Sequence, residues 1–374
     1  MAKRKSKKRQ FTKTLSLILI VFVAIISLIF YLNPGLYNNL IDLINKGDTN
    51  SLISNINRDN YYAKENNPFL VHFIDIGQGD AIFIEFPDNK TMLIDSGDNK
   101  SENNNTLVNY ILDLGVETID YVVATHADAD HIGGMDNIFY NFNVKKVFRP
   151  YIKYKNTSST AFTFTNEFNQ GSLEHGTKTY GTFLQCILDE KFGNNLSCEW
   201  EFFTCDSDFA NSAKYNDKEY KYTFDFLTPT KSLTEIDEDN NNNYSPIVML
   251  EYCGFKMIFT GDAEVKVENE FVNKYKTQTS YVDCDVLKVG HHGSDTSSST
   301  TFLDLIKPER AVIPCGTGNT YGHPHQVTLN NLLSRNCNVY RTDTNGHILI
   351  KVNKDGEPSV TYEKGDVSTN YVAP

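Results

Sequence analysis

The chain is predicted to be an α+β protein, two β-sheets packed face to face and covered by helices. From Phe69 onward short β-rich runs alternate with turn residues, as FLVHFIDI, AIFIEF and TMLIDSG, then a helical stretch TLVNYILDLG, then IDYVVATH. The second half repeats that style in YTFDFLTP, IVMLEYC, FKMIFTGD, DVLKVGHH, AVIPCG and ILIKV. Two strand-rich halves, each with a few helices, are satisfied when their sheets stack and helices cover the outer faces. With 40% hydrophobic and 22% charged residues in 374, the chain can fill such a core.

Before this domain, residues 1–13 hold seven basic side chains (Lys3, Arg4, Lys5, Lys7, Lys8, Arg9 and Lys13) and no acid. Residues 15–32, LSLILIVFVAIISLIFYL, follow with Ser16 and Ser27 as their polar members, long enough to span a bilayer. The expectation is a single transmembrane helix with the basic tail inside and the remainder outside the cell membrane. A cleaved leader, giving a secreted protein, is the rival, but no small-residue cleavage pattern follows the apolar run. Residues 33–66 read as a juxtamembrane linker, 67–355 as the main domain with a polar, aromatic-rich insertion at 151–215, and 356–374 as a C-terminal tail. The Asn runs at 103–105 and 240–243 read as loops.

The net charge is −12 although the tail is basic, so the remainder is more acidic still and a poor general attractor for polyanions. Seven cysteines form no CxxC pair and no zinc-finger spacing. Cys186, Cys198 and Cys205 crowd one window, where a local disulfide is possible in an extracellular domain.

The chemistry concentrates in DYVVATHADADHIGG, where an apolar strand ends and His126, Asp128, Asp130 and His131 follow at once. In extended chain, side chains two apart share a face, so His126 and Asp128 can grip one cation. Asp130 and His131 fall where the chain turns into a helix and can face a second. A solvated Asp-rich turn with capping carboxylates is the plain alternative. Two later segments count against it, because each sets a ligand type directly after a strand: MIFTGD ends at Asp262, and VLKVGHHGS carries His291 and His292. Asp262 could bridge two cations.

The ordered set GQGDA (77–81), LIDSG (93–97), THADADHIGG (125–134), FTGD (259–262), LKVGHHGS (287–294) and NTYGHP (319–324) resembles the ComEC-type competence-protein hydrolases of the metallo-β-lactamase superfamily over residues 69–353. The resemblance implies a four-layer αββα sandwich with two metals at one edge: His126 and Asp128 at the first, Asp130 and His131 at the second, and Asp262 between them. It also implies that Asp130 orients the attacking water. Aspartate at position 128, where the wider superfamily has histidine, replaces a nitrogen donor by a hard oxygen, so Mn or Mg becomes a rival to Zn. The superfamily's third histidine is missing, since the segment before Ile247 reads NNNNYSP. Of the histidine pair, His291 is preferred as ligand.

Asp80 and Asp95 are expected to order the site by hydrogen bonding, a plain turn role being the alternative. Lys288 is expected to meet an anionic substrate or to be a solvated strand residue. His323 is expected to face a substrate phosphate or to be structural before Pro324. His72, His175 and His347 have no such setting. The implied reaction is metal-assisted hydrolysis of a phosphodiester in DNA. Hydrolysis of another small ester or phosphoester, or binding at the surface without turnover, are the alternatives. No GxSxG elbow is present, which argues against a serine hydrolase. The sequence identifies no protein partner.

Overall fold

The computed structural model describes residues 69–157, 162–188, 198–205, 207, 209–215, 218–236 and 239–367. The basic tail, the apolar segment 15–32 and the linker 33–66 lie outside them. Among the described residues no helix is long and apolar enough to cross a membrane.

In chain order the strands are β1 (Phe69–Phe73), β2 (Ile82–Glu85), β3 (Thr91–Ile94), β4 (Thr118–Val123), β5 (Asn143–Arg149), β6 (Ile152–Tyr154), β7 (Leu173–His175), β8 (Glu199–Phe202) and β9 (Phe209–Tyr215). They continue as β10 (Lys218–Phe226), β11 (Val248–Tyr252), β12 (Phe255–Phe259), β13 (Val286–Lys288), β14 (Arg310–Ile313), β15 (Asn338–Arg341), β16 (Ile348–Val352) and β17 (Pro358–Tyr362). One sheet has the order β17-β16-β1-β2-β3-β4-β5-β8 and the other β15-β14-β13-β12-β11-β10-β9. In both, a parallel half adjoins an antiparallel half: β3, β4, β5 and β8 run parallel, as do β12 to β15.

Side-chain alternation builds the layers. On β1, Phe69, Val71 and Phe73 enter the space between the sheets, where they meet Phe255, Met257 and Phe259 of β12. Burying each such Phe contributes about 1.5–3 kcal/mol. The outer face of the first sheet is covered by α1 (Ser101–Asp113), α3 (Met135–Asn141) and α4 (Lys178–Leu188), with the short α2 (Ala129–Ile132) between α1 and α3 in sequence. The outer face of the second is covered by α5 (Val265–Tyr275), α6 (Thr300–Ile306) and α7 (Gln326–Leu333), packed on Ile258, Leu287 and Ile313. The result is helix, sheet, sheet, helix, as expected.

Two boundaries differ from the sequence reading. Residues 151–215 are not purely an insertion, because β8 and β9 finish the edges of the two sheets, and Phe168, Tyr180 and Phe183 enter the core beneath α4. Edge strands alternate charged and half-buried residues, as in Glu199-Trp200-Glu201, so their apolar signal is weak. For the same reason the expected tail contains β17, a polar edge strand paired with β16. Cys198 and Cys205 are free thiols, so the disulfide considered for that window is not formed between them. His72 is a core residue, its ring nitrogens 2.9 Å from the Tyr110 hydroxyl and 3.1 Å from Glu85.

Candidate metal centre

The parallel strands β3 and β4 of one sheet and β12 and β13 of the other all end at the same edge of the sandwich, the place where open α/β sheets present their loops to ligands. Asp95 follows β3, His126 to His131 follow β4, Asp262 follows β12, and His291 and His292 follow β13. Antiparallel neighbours bring their starts to that edge: Asp80 precedes β2, and Asn241 to Ser245 precede β11. Two glycines let these segments meet. Gly79 has φ +127° and lies so close to the Asp130 carbonyl that a Cβ there would collide with it, and a Cβ on Gly133 would strike the backbone at Asp98 and Asn99.

Three imidazoles converge with Nε2 inward because each Nδ1 is engaged elsewhere. His131 Nδ1 is 2.7 Å from Asp95 Oδ2, and His292 Nδ1 donates to the Pro314 carbonyl at 2.9 Å. His126 Nδ1 lies 3.1 Å from Thr125 Oγ1 and 3.2 Å from Ser245 Oγ. Facing inward, His131 Nε2 is 3.2 Å from both His292 Nε2 and Asp262 Oδ2. His292 Nε2 is 3.4 Å from Asp262 Oδ2 and 3.4 Å from Asp130 Oδ2. His126 Nε2 is 3.4 Å from Asp128 Oδ2 but makes no hydrogen bond among the described residues, and Asp262 Oδ1 is likewise unbonded.

Donor atoms of three sets lie within 4.8 Å of one another: His126, His131 and Asp262; Asp130, His131 and His292; and Asp80, Asp95 and His131. The third set is already used within the protein. Asp95 accepts from the Thr125 amide at 2.9 Å and hydroxyl at 2.7 Å, and Asp80 faces the Lys288 ammonium. The first two share His131 and leave acceptors open.

The charges are strongly linked. Burial alone would raise the Asp262 carboxyl, but His131 and His292 outweigh it and hold Asp262 well below the ordinary carboxylate range. Conversely, burial would lower both histidines, yet Asp262, with Asp95 for His131 and Asp130 for His292, holds them well above theirs. This cluster of carboxylates calls for positive charge.

Two sequence expectations are corrected. His292, not His291, sits in the cluster. Both adopt left-handed backbone, φ 46° and 52°, and that turn swings His291 to the rim, where Nε2 is 3.8 Å from Asp262 and Nδ1 is 3.0 Å from Thr296 Oγ1. Lys288 is not a solvated strand residue, being fully buried against Asp80 and donating to the Gly261 carbonyl at 2.7 Å. His323 is at the rim, its ring 5.3 Å from that of His291, and burial together with His291 and His292 pushes it down to about 4.

The Asn run at 240–243, read as a loop, is wired into the site. Asn241 Nδ2 donates to Asp128 Oδ1 at 2.6 Å, Asn240 Nδ2 to Glu264 at 2.8 Å, and the Glu264 amide to Asn243 Oδ1 at 3.2 Å. Ser245, from the segment where a third histidine was sought, instead buttresses His126 and accepts from the Asp262 amide at 3.0 Å. The absent histidine was the available signal that this segment had another task.

Residues 74–169 match the metallo-beta-lactamase superfamily. ComE operon protein 3 of Bacillus subtilis is 28% identical over 316 residues, 80% of this chain and 35% of that protein. Competence protein ComA of Neisseria gonorrhoeae is 34% identical over 36% of this chain and 18% of that protein, and Recombination protein 2 of Haemophilus influenzae 30% identical over 35% and 16%. The chain thus spans about a third of the first relative's length and less than a fifth of the other two. In its matched segment and in these relatives the chain is similar to the metallo-β-lactamase superfamily and to competence proteins of the ComEC type.

Proposed function

We propose that the chain is a metal-dependent phosphodiesterase that cuts DNA outside the membrane to which its N-terminal segment anchors it. The observation that carries the reading is the convergence of three Nε2 atoms and Asp262, with His126 Nε2 and Asp262 Oδ1 buried and unbonded. Buried donors and acceptors without partners are costly, and a cation between them removes that cost.

The metallo-β-lactamase fold implies divalent metal binding, and these residues fit it. His126 and Asp128 would hold one ion, Asp130, His131 and His292 the other, with Asp262 shared. Bound there, divalent ions lower the pKa of a water and polarise a phosphoryl oxygen. The mixed nitrogen and carboxylate set suits Zn or Mn, with Mg a third choice. Asp95 and the Pro314 carbonyl fix the His131 and His292 rings through Nδ1, so that Nε2 stays directed inward. Asp128 and Asp130 are the partly exposed carboxylates of the cluster, with side-chain exposures of 40% and 32%, so substrate enters beside them. Asp130 orients the attacking water from that side.

The test uses the full chain, stripped of metal, reloaded separately with Mn²⁺, Zn²⁺ and Mg²⁺, and assayed on single-stranded DNA, duplex DNA and a chromogenic phosphodiester. Metal-dependent DNA cleavage is the expected result. Cleavage of the chromogenic ester alone would replace DNA by a small substrate, and metal binding without turnover would leave a surface-binding protein.

Asn241 has a separate role. It holds Asp128 through a 2.6 Å bond from the amide to the carboxylate, and groups that orient metal ligands typically change affinity 10- to 100-fold when removed. Asn241→Ala is therefore expected to weaken Mn²⁺ binding by about 10- to 100-fold in a calorimetric titration. Unchanged affinity would remove Asp128 from the ligand set.

A further inference from the structure

Residues 316–325 leave β14 and carry His323 to the rim, its ring 6.3 Å from that of His292 and inclined by 28°. Tyr321 continues the stack outward. Its ring centroid is 5.6 Å from that of His323, the planes differ by 22°, and Tyr321 is 64% exposed.

Polar braces hold this loop. Asn319 Nδ2 donates to the carbonyls of Gly316 at 2.9 Å and His323 at 2.6 Å, and Asn319 Oδ1 accepts from the His323 amide at 3.0 Å. His325 Nδ1 accepts from the Asp295 amide at 3.0 Å, and the His325 amide donates to the Gly293 carbonyl at 2.9 Å. A single exposed aromatic ring is ordinary on a protein surface. A ring stacked outward from the rim histidines on a braced loop is preorganised, so little conformational freedom is lost when another ring lands on it.

The chemistry of that second ring follows from charge. A chain of net charge −12 has no general attraction for a phosphate backbone. The ammonium of Lys100 is already paired with Asp98 at 2.6 Å. Affinity for a polynucleotide therefore has to come from the centre itself and from stacking. Bases within a duplex stack on each other and offer no free face to a side chain, whereas an unpaired base does.

We propose that Tyr321 is the stacking platform for an unpaired nucleobase beside the phosphodiester held at the centre, which makes single-stranded polynucleotide the substrate class. The inference rests on the phosphodiesterase reading above. It predicts binding that depends on the ring and not on the tyrosine hydroxyl.

The test is fluorescence anisotropy of a labelled oligothymidylate on the Mn²⁺-loaded full chain, with Tyr321→Ala and Tyr321→Phe beside wild type. A parallel measurement takes the ratio of kcat/KM for the oligonucleotide to that for a chromogenic phosphodiester. Tyr321→Ala is expected to weaken binding and lower the ratio by about 5- to 150-fold, the usual worth of one base stacked on an aromatic ring. Tyr321→Phe, which keeps the ring, stays within about twofold of wild type, and a duplex of matched length binds more weakly than the single strand. Equal binding by the alanine variant, equal losses in both variants, or equal affinity for duplex overturns the platform. Should the ester be cut while wild type binds no oligonucleotide, the platform is wrong and the phosphodiesterase reading survives. Ring-dependent binding without any cleavage leaves the platform standing and removes the hydrolytic reading.

Discussion

Asp130→Asn is expected to lower hydrolysis on the order of 10³-fold, because metal-centred charge stabilisation amounts to several kcal/mol and each 1.36 kcal/mol is tenfold in rate. Asparagine keeps the shape of the side chain but removes the charge that stands 3.4 Å from His292 Nε2. The side chain is 32% exposed and reached from solvent, so part of the stability contributed by its pairing with His292 is screened. A thermal midpoint within about 2–4 °C of wild type is expected, the shift that 1 kcal/mol produces in a domain of this size class. Rates on the chromogenic ester, metal content and the melting curve check the three parts separately. Retained activity with metal retained would take Asp130 out of the reaction.

Lys288→Met is expected to destabilise the domain by about 3–5 kcal/mol, read as a lower urea midpoint, because it strands a buried carboxylate. Lys288 and Asp80 are both fully buried and face one another, and Lys288 also donates to the Gly261 carbonyl beside Asp262. Burial pushes the Asp80 carboxyl up, while Lys288 and then His292 pull it further down, so its folded value lies below the ordinary 3.8. The sign follows: Asp80 contributes stability that is complete above its ordinary value of 3.8 and is lost as the pH falls below it. Combining Lys288→Met with Asp80→Asn removes both charges and should recover most of the loss. If the double variant shows the plain sum of the single losses, the pair is not the stabilising interaction.

Much of this protein was written locally. The strands from Phe69 to Ile94 and from Val248 to Phe259 showed themselves as short, almost continuously apolar runs bounded by turn residues, a pattern that needs no distant partner. The core ligand types were legible for a related reason: His126, Asp128, Asp130, His131 and Asp262 each lie within a few residues of a strand end, and the strand ends gather at one edge. What escaped was decided between segments far apart in the chain. Asn241 finds Asp128 across 113 positions, and Ser245 finds His126 across 119. Lys288 reads as a surface residue by its type, yet all three residues of β13 are buried, and Asp80, more than 200 positions earlier, satisfies its charge.

The choice between His291 and His292 shows where the boundary runs. Chain order alone sets two imidazoles after β13, at the edge where the carboxylates gather. Which of them turns inward depends on two consecutive left-handed residues and on the Pro314 carbonyl that holds His292 through Nδ1. Strand periodicity is a property of neighbouring residues and can be read along the chain, whereas hydrogen-bond partnership and burial of charge are settled when separate strands and loops pack against one another.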